Sequence, residues 1–181
     1  AKLLVFDFDG TIVDLQCRWG RLKEKLHLFC RDRYRFSIDF SSLNKGIMEI
    51  IPKLHKDEQK RVYAIIEEYE LKGVNKATPI LPTIDFIKKY KHKKKAILSA
   101  NTKKAIMAAL KKVKIKSYFN LIIGKEDVKN QKPNPEGLHF IMSFFKVRPQ
   151  ETIFIGDKDI DFKVGKTAKV LTCGVKEIAT L

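Results

Sequence analysis

Two aspartates that stand two residues apart behind an apolar run constrain the fold of this chain more than any other feature. The apolar run is residues 3–6 (LLVF), and residues 7–11 (DFDGT) carry both carboxylates and a glycine turn. Consecutive apolar residues predict a strand that is buried on both faces of a parallel sheet. Such sheets bind ligands at the carboxyl ends of their strands, and two adjacent buried acids need a cation. These residues therefore predict a site for a hard divalent ion, most simply Mg²⁺, where the first strand ends.

Three further motifs follow along the chain. Residues 97–101 (ILSAN) are an apolar run that ends in a hydroxyl, and residues 132–135 (KPNP) place a lysine in a loop before a predicted helix. Residues 152–157 (TIFIGD) are another apolar run that ends in an acid, and Asp161 follows four residues later. Together with the first motif, this ordered set resembles the four motifs of the haloacid dehalogenase (HAD) superfamily. The resemblance spans residues 3–175, and the intervening segments resemble the phosphoglycolate-phosphatase-like branch.

The order of the predicted elements indicates an α/β fold with a parallel sheet flanked by helices, which the resemblance identifies as a Rossmann-like HAD core. Residues 15–77 interrupt the alternation with helical patterns, and they resemble a small C1-type cap of about four helices. The predicted organisation is a core of residues 1–14 and 78–181 with an inserted α-helical cap of residues 15–77. Strands are expected near residues 2–6, 95–99, 120–124, 152–156 and 169–172, and helices near residues 83–91, 102–113, 135–146 and 160–167.

The resemblance implies how this chain would hydrolyse a phosphate ester. Asp7 is the expected nucleophile, because a carboxylate can form an aspartyl-phosphate and divide one slow step into two faster ones. Asp9 is expected to protonate the leaving oxygen and then to activate water, which requires that the two carboxyl groups differ in pKa. Lys132 is expected to neutralise charge on the phosphoryl group. Lys158 stands where the family often has Ser, which adds a cation near the phosphate pocket.

Phosphate binding is assigned by the same resemblance to the second motif. The Ser99 hydroxyl and the backbone N–H of Ala100 at a helix start are expected to bind a phosphoryl oxygen, with Asn101 assisting. In the predicted cap, Arg18 and Arg21 are candidates for gripping a second anionic group of the substrate. Arginine suits that role because its guanidinium binds phosphate and carboxylate in a bidentate manner.

A Mg²⁺ cofactor is also implied by the resemblance. Its expected ligands are the carboxylates of Asp7 and Asp157 and the backbone carbonyl of Asp9. Asp161 is expected to support the water shell of the metal or to orient Lys132.

The sequence therefore predicts a Mg²⁺-dependent phosphatase that acts on a small anionic phosphorylated substrate. Three alternatives stay open: a β-phosphoglucomutase-like phosphoryl transfer, a nucleotide or nucleic-acid phosphatase, and a protein that binds nucleic acid on a basic surface. Haloacid dehalogenases lack the second acid of the first motif, so Asp9 argues against dehalogenation. Phosphonatases need a further cap lysine, and nothing in the sequence singles one out.

Composition bears on partners and location. The net charge of +16, with lysine runs in residues 88–95 and 103–116, predicts either a surface for polyanions or solvated helix faces. No apolar stretch approaches the roughly 20 residues that span a bilayer. The sequence shows no signal-peptide pattern, and its three cysteines lack metal-type spacing. The expectation is a cytoplasmic monomer or dimer without membrane contact.

Overall fold

A five-stranded parallel sheet forms the centre of the protein, which we describe from a computed structural model. The structure describes residues 1–34 and 38–180, so residues 35–37 of the predicted cap and residue 181 of the predicted core lie outside the described residues. The strands are β1 (Leu3–Phe6), β2 (Val13–Asp14), β3 (Thr78–Pro79), β4 (Lys94–Leu98), β5 (Leu121–Ile123), β6 (Thr152–Ile155) and β7 (Leu171–Cys173). The sheet has the order β5-β4-β1-β6-β7 with every pairing parallel, and β2 and β3 form a separate antiparallel pair.

Helices cover both faces of the sheet, so the predicted α/β fold is confirmed. The helices are α1 (Trp19–Tyr34), α2 (Leu43–Ile50), α3 (Lys56–Val74), α4 (Leu81–Lys89), α5 (Lys103–Lys112), α6 (Glu136–Phe145), α7 (Asp159–Ala168) and α8 (Val175–Ile178). The five predicted strands of the sheet and helices α4 to α7 begin and end within two residues of their predicted positions. Among the described residues, no helix combines the length and the apolar character that crossing a bilayer requires.

Strand register aligns the carboxyl ends of the three central strands. Phe6, the last residue of β1, pairs with Ile97 of β4 and with Ile155 of β6. The backbone N–H of Asp7 then donates to the carbonyl of Ile155 at 2.8 Å. The segments that follow β4, β1 and β6 therefore leave the sheet along one edge, which brings the first, second and fourth motifs together.

The alternation of side chains along β1 divides the core between the two faces of the sheet. Leu4 and Phe6 belong to one buried apolar cluster, which includes residues of α4 and α5. Leu3 and Val5 belong to the other, which includes residues of α6 and α7. All four side chains are buried, and full burial of each contributes about 1.5–3 kcal/mol. This packing holds β1, and with it the first motif, rigidly in place.

Helices α1, α2 and α3 surround a third apolar cluster of their own, to which Leu22, Ile47 and Ile66 belong. Where the sequence suggests about four helices, the described residues hold three α-helices and a short 3₁₀ turn at Ile51–Lys53. Pro52 explains the difference, because proline lacks the N–H that would continue α2. The chain enters and leaves this helical segment through the β2–β3 pair. Its division from the rest of the chain as a cap stays a prediction.

Part of the positive charge in the lysine runs stabilises turns. Lys95 is buried, and its ammonium donates to the carbonyls of Tyr90 and Lys93. Lys112 of α5 donates to three backbone carbonyls at and after the end of α3. The lysine runs are therefore not uniformly solvated helix faces, and nucleic-acid binding stays a prediction.

Candidate active site

Residues of the first, third and fourth motifs meet at the carboxyl edge of the sheet. The ammonium of Lys132 donates to Asp7 at 2.8 Å and to Asp161 at 2.5 Å. One carboxylate oxygen from each of Asp7, Asp157 and Asp161 lies within 4.8 Å of the other two. Asp7 and Asp161 are buried, and Asp157 is exposed. The structure thus assembles a cluster of three acids, two of which contact one lysine.

Burial and charge oppose each other in this cluster. Burial disfavours the ammonium of Lys132, but the carboxylates of Asp7 and Asp161 outweigh it and hold the pKa of Lys132 above its ordinary value. Burial and the neighbouring Asp7 carboxylate raise the pKa of Asp161, although Lys132 opposes that shift. Three carboxylates and one ammonium leave net negative charge in a largely desolvated place, and a bound cation would relieve it.

Asp9 lies beside the cluster but has different partners. Its carboxylate accepts the backbone N–H of Leu15 at 2.9 Å, and its backbone carbonyl accepts the Lys158 ammonium at 2.7 Å. Burial raises the pKa of Asp9, although the hydrogen bond from Leu15 and the charge of Lys158 oppose the shift. With a raised pKa the carboxyl group keeps its proton up to a higher pH, which is the property that a general acid requires.

The turn after β1 packs closely against Asp157, the exposed acid of the cluster. The Thr11 hydroxyl donates to Asp157 at 3.0 Å. Gly10 has a φ of +87°, and a Cβ added there would lie 2.7 Å from a carboxylate oxygen of Asp157. Only glycine satisfies both the left-handed backbone and this close approach.

Replacing Gly10 with Ala should therefore lower the free energy of unfolding by about 1–2 kcal/mol, the cost of a left-handed residue with a Cβ. Urea unfolding followed by circular dichroism measures the change. Gly20→Ala in α1 is the matched control, because an added Cβ meets nothing within 4 Å there. Equal effects of the two substitutions would contradict this account of the turn.

The second-motif loop is held by an acid from the helical segment. Ser99 donates to the side-chain oxygen of Asn101 at 2.9 Å and accepts the Asn101 N–H at 3.1 Å. The Asn101 amide donates to Glu70 of α3 at 3.0 Å, and Glu70 also accepts the N–H and hydroxyl of Thr102 at 2.8 and 2.6 Å. Because Thr102 precedes α5, the Glu70 carboxylate stabilises the positive N-terminal end of that helix.

Sequence reasoning missed Glu70 and Lys125, which are both buried near this loop. Glu70 falls on the buried stripe of α3 with Val62 and Ile66. The available signal was the spacing, because Glu70 stands four residues after Ile66 and eight after Val62, on the same face of the helix. For Lys125, which lies in a short 3₁₀ turn after β5, no periodic signal existed.

The residues expected to bind substrate line two different cavities near the predicted cap. One, of about 500 Å³, is lined by Asp9, Ala100, Asn101 and nine further residues. The other, of about 450 Å³, is lined by Arg18 and Arg21 and by none of the motif acids. Both arginines are exposed on the protein surface. The structure therefore brings Ala100 and Asn101 beside Asp9 but does not bring Arg18 and Arg21 to the acid cluster.

The acid cluster fits a hard divalent cation by its donor chemistry. Asp7, Asp157 and Asp161 offer carboxylate oxygens at one place, and oxygen is the ligand that Mg²⁺ prefers. The carbonyl of Asp9 accepts one hydrogen bond from the Lys158 ammonium, and its second lone pair could serve as a further ligand. Lys132 already neutralises part of the charge, and the remainder matches a divalent ion better than a second lysine.

Comparison with known proteins decides the family. The family model described as haloacid dehalogenase-like hydrolase matches residues 4–175. The chain belongs to this family. Among curated HAD relatives, pyrophosphatase PpaX of Listeria monocytogenes (serotype 4a) is 32% identical across 95% of this chain and 82% of its own length. PpaX of Listeria welshimeri is 29% identical over the same shares of the two chains. The predicted family and the assignment as a phosphatase-like hydrolase are confirmed.

Solved structures of other HAD proteins share the fold. CbbY from Rhodobacter sphaeroides in complex with phosphate superposes with a TM-score of 0.71 at 13% identity, covering 96% of this chain and 85% of CbbY. A HAD-superfamily hydrolase of subfamily IA from Geobacter sulfurreducens gives 0.65 at 20% identity, covering 94% of this chain and 87% of that one. At these identities the likeness concerns the fold alone.

Proposed function

We propose that this HAD hydrolase is a Mg²⁺-dependent phosphatase that releases phosphate from a small phosphorylated molecule through an aspartyl-phosphate on Asp7. The observation that carries the proposal is the contact of Lys132 with both Asp7 and Asp161 inside a cluster of three acids. This cluster provides a nucleophile, a fixed positive charge and a place for a cation at one edge of the sheet. Phosphate esters hydrolyse very slowly unaided, so all three contributions are needed.

Each of these residues has a defined role in the proposed reaction. Asp7 attacks phosphorus and becomes the acyl phosphate, and its hydrogen bond with Lys132 orients it for attack. Asp9 gives its proton to the leaving oxygen, and the resulting carboxylate then takes a proton from the water that cleaves the acyl phosphate. Lys132 neutralises charge that develops on the phosphoryl oxygens. Bound Mg²⁺, held by Asp7 and Asp157 with Asp161 alongside, would supply charge neutralisation and orientation of the phosphoryl group.

The second-motif loop is the proposed phosphoryl cradle. Glu70 fixes the side chain of Asn101 before α5, and Asn101 in turn accepts the hydroxyl of Ser99. To bind a phosphoryl oxygen, the Ser99 hydroxyl turns from Asn101 toward the substrate. Ala100, which stands between Ser99 and Asn101 in the chain, lines the cavity.

The substrate is proposed to be an ester or an anhydride of phosphate. A phosphate ester is the first candidate, because the second acid of the first motif can protonate the leaving ester oxygen. Pyrophosphate is a second candidate, because the curated relatives with 29–32% identity are named pyrophosphatases. Both substrates require the same nucleophile, so the mechanism on Asp7 does not distinguish them.

Removal of the metal is the direct test. The purified protein should release phosphate from an aryl phosphate in Mg²⁺, stop in excess EDTA and recover when Mg²⁺ is restored. Released phosphate is measured by a colorimetric assay. Phosphate release at an unchanged rate in excess EDTA would contradict the metal requirement. Interconversion of sugar phosphates without phosphate release would instead favour the mutase alternative.

A further inference from the structure

The cavity of about 500 Å³ lies between the helical segment and the carboxyl edge of the sheet. The core contributes an acid, two lysines and the second-motif loop to its lining, and the helical segment closes the other side. The lining residues are Asp9, Trp19, Lys23, Ser41, Ser42, Leu43, Asn44, Glu70, Ala100, Asn101, Lys125 and Lys158. Because Asp9 lies in its wall, a substrate whose phosphoryl group lies at Asp7 would extend its remaining atoms into this cavity.

Three lysines line the cavity, and two of them are already engaged. Lys23 donates to the carbonyl of Ser41 at 2.6 Å, and Lys158 donates to the carbonyl of Asp9 at 2.7 Å. Within residues 1–34 and 38–180, the structure gives the ammonium of Lys125 no hydrogen bond and no carboxylate within 4.0 Å. Lys125 is nevertheless only 1% exposed. It is therefore a buried cation at a cavity wall whose donors are free.

The backbone fixes Lys125 beside the second-motif loop. Its N–H donates to the carbonyl of Asn101 at 2.8 Å, and its carbonyl accepts the Gln131 amide at 2.6 Å. Burial lowers the pKa of Lys125, although the carboxylates of Glu70 and Glu126 oppose the shift. Glu70 directs its own hydrogen bonds to Asn101 and Thr102 and not to this lysine.

Such a lysine costs stability in the free protein, because burial disfavours an ammonium that has no carboxylate in contact with it. A methionine would fill the same space without that cost. The charge becomes favourable when an anion enters the cavity, because a charge-assisted hydrogen bond in a desolvated site is strong.

We propose that Lys125 binds a second anionic group of the substrate, a phosphate or a carboxylate, while the reacting phosphoryl group lies at Asp7. The preferred substrates are then small molecules with two anionic groups rather than simple monoesters. This inference rests on the proposed function and adds the residue that selects the substrate class. It also places the second anion on the core side of the cavity and not at Arg18 and Arg21.

Kinetics of Lys125→Met on substrates of both classes provide the test. The singly phosphorylated probe is an aryl phosphate, and the doubly anionic probes are pyrophosphate and phosphoglycolate. The ratio of kcat/KM for a doubly anionic probe to kcat/KM for the aryl phosphate should fall on the order of 10- to 100-fold, the effect of losing one charged hydrogen bond. Lys125→Arg should keep most of this ratio. Lys129→Met, which removes an exposed lysine four residues later, should leave it unchanged.

A double variant distinguishes binding of a substrate anion by Lys125 from neutralisation of the Glu70 carboxylate by the same lysine. If Lys125 served only to balance that acid, the double variant Glu70→Gln/Lys125→Met would recover the wild-type ratio, and the proposal would be overturned. An equal loss on all three probes would also overturn it. A loss on pyrophosphate alone would assign the subsite to phosphate, and a loss on both doubly anionic probes to anions in general.

Equilibrium binding keeps this test independent of turnover. Methylenediphosphonate, a pyrophosphate analogue that resists hydrolysis, should bind the wild-type protein more tightly than Lys125→Met by a similar factor in calorimetry with Mg²⁺. Equal affinities would overturn the role of Lys125 even if the enzyme is active. Tight, Lys125-dependent binding without hydrolysis of any probe would instead contradict the proposed function and keep the anion subsite.

Discussion

Asp7→Asn should abolish phosphate release, with a fall in kcat on the order of 10⁴-fold or more, as expected when the nucleophile of a covalent mechanism is lost. Asparagine retains the size of the side chain and one oxygen that can accept the Lys132 ammonium. It lacks the anionic oxygen that attacks phosphorus in the proposed mechanism. The change therefore removes chemistry with little loss of packing around β1. The measurement is kcat for an aryl phosphate at saturating Mg²⁺, with trapping of the phosphoenzyme from wild type as a direct readout.

Asp85→Asn is the matched control for this prediction. Asp85 is exposed on α4, outside the acid cluster, and should retain wild-type activity. Retention of more than about a hundredth of the activity in Asp7→Asn would show that Asp7 does not form the covalent intermediate.

Lys132→Met should lower the free energy of unfolding by about 3–5 kcal/mol near neutral pH without Mg²⁺, because it leaves two buried carboxylates without their cation. The ammonium contacts both Asp7 and Asp161, and its side chain is 6% exposed. Activity should be lost together with stability, because in the proposed mechanism the same charge stabilises the phosphoryl group. Denaturant unfolding of both proteins measures the difference, with Lys163→Met on the exposed side of α7 as the control.

Mg²⁺ and pH should each change the size of that difference. Mg²⁺ should stabilise the variant more than wild type, because the bound cation takes over charge neutralisation from the missing ammonium, so the difference should shrink. At about 100 times its Kd the ion adds about 2.7 kcal/mol to the variant. Because the pKa of Lys132 is raised in the folded protein, its stabilising contribution is complete below pH 10.5 and is lost as the pH rises through the folded pKa. The pKa of Asp161 is raised as well, so its unfavourable contribution is relieved as the pH falls through the folded pKa.

The gap between wild type and Lys132→Met should therefore be widest near neutral pH and narrow at both extremes. As the pH falls through the raised folded pKa of Asp161, that carboxyl group takes up a proton and no longer needs the charge of the lysine. A gap that stays constant from pH 4 to neutrality would show that Lys132 stabilises the protein through packing alone.

The strands and the motif order were predictable from the sequence because both depend on local patterns. A run such as Leu3–Phe6 is buried wherever it lies in an α/β protein, and parallel strands place their carboxyl ends at one edge. The convergence of Asp7, Lys132 and Asp161 follows from that rule, although their exact partners do not. Their catalytic roles remain proposals that the variants above test.

Proximity in sequence was a poor guide in the helical segment. Arg18 and Arg21 follow the first motif closely, yet they project from the exposed side of the segment at the start of α1 and line a separate cavity. Side-chain direction on a helix depends on which face packs inward, and Leu22 and Leu26 take that face here.

The sequence by itself determined the family, the sheet and the set of reactive residue types, because apolar runs and motif spacing are properties of the chain. Only the tertiary structure decided which buried charges face one another. Glu70 reaches Asn101 and Thr102 across more than 30 residues because α3 packs beside α5. Lys125 lies at the wall of a cavity that residues of the helical segment, such as Trp19 and Glu70, also line. Such contacts depend on how separate helices dock, and no local pattern of residues encodes that docking.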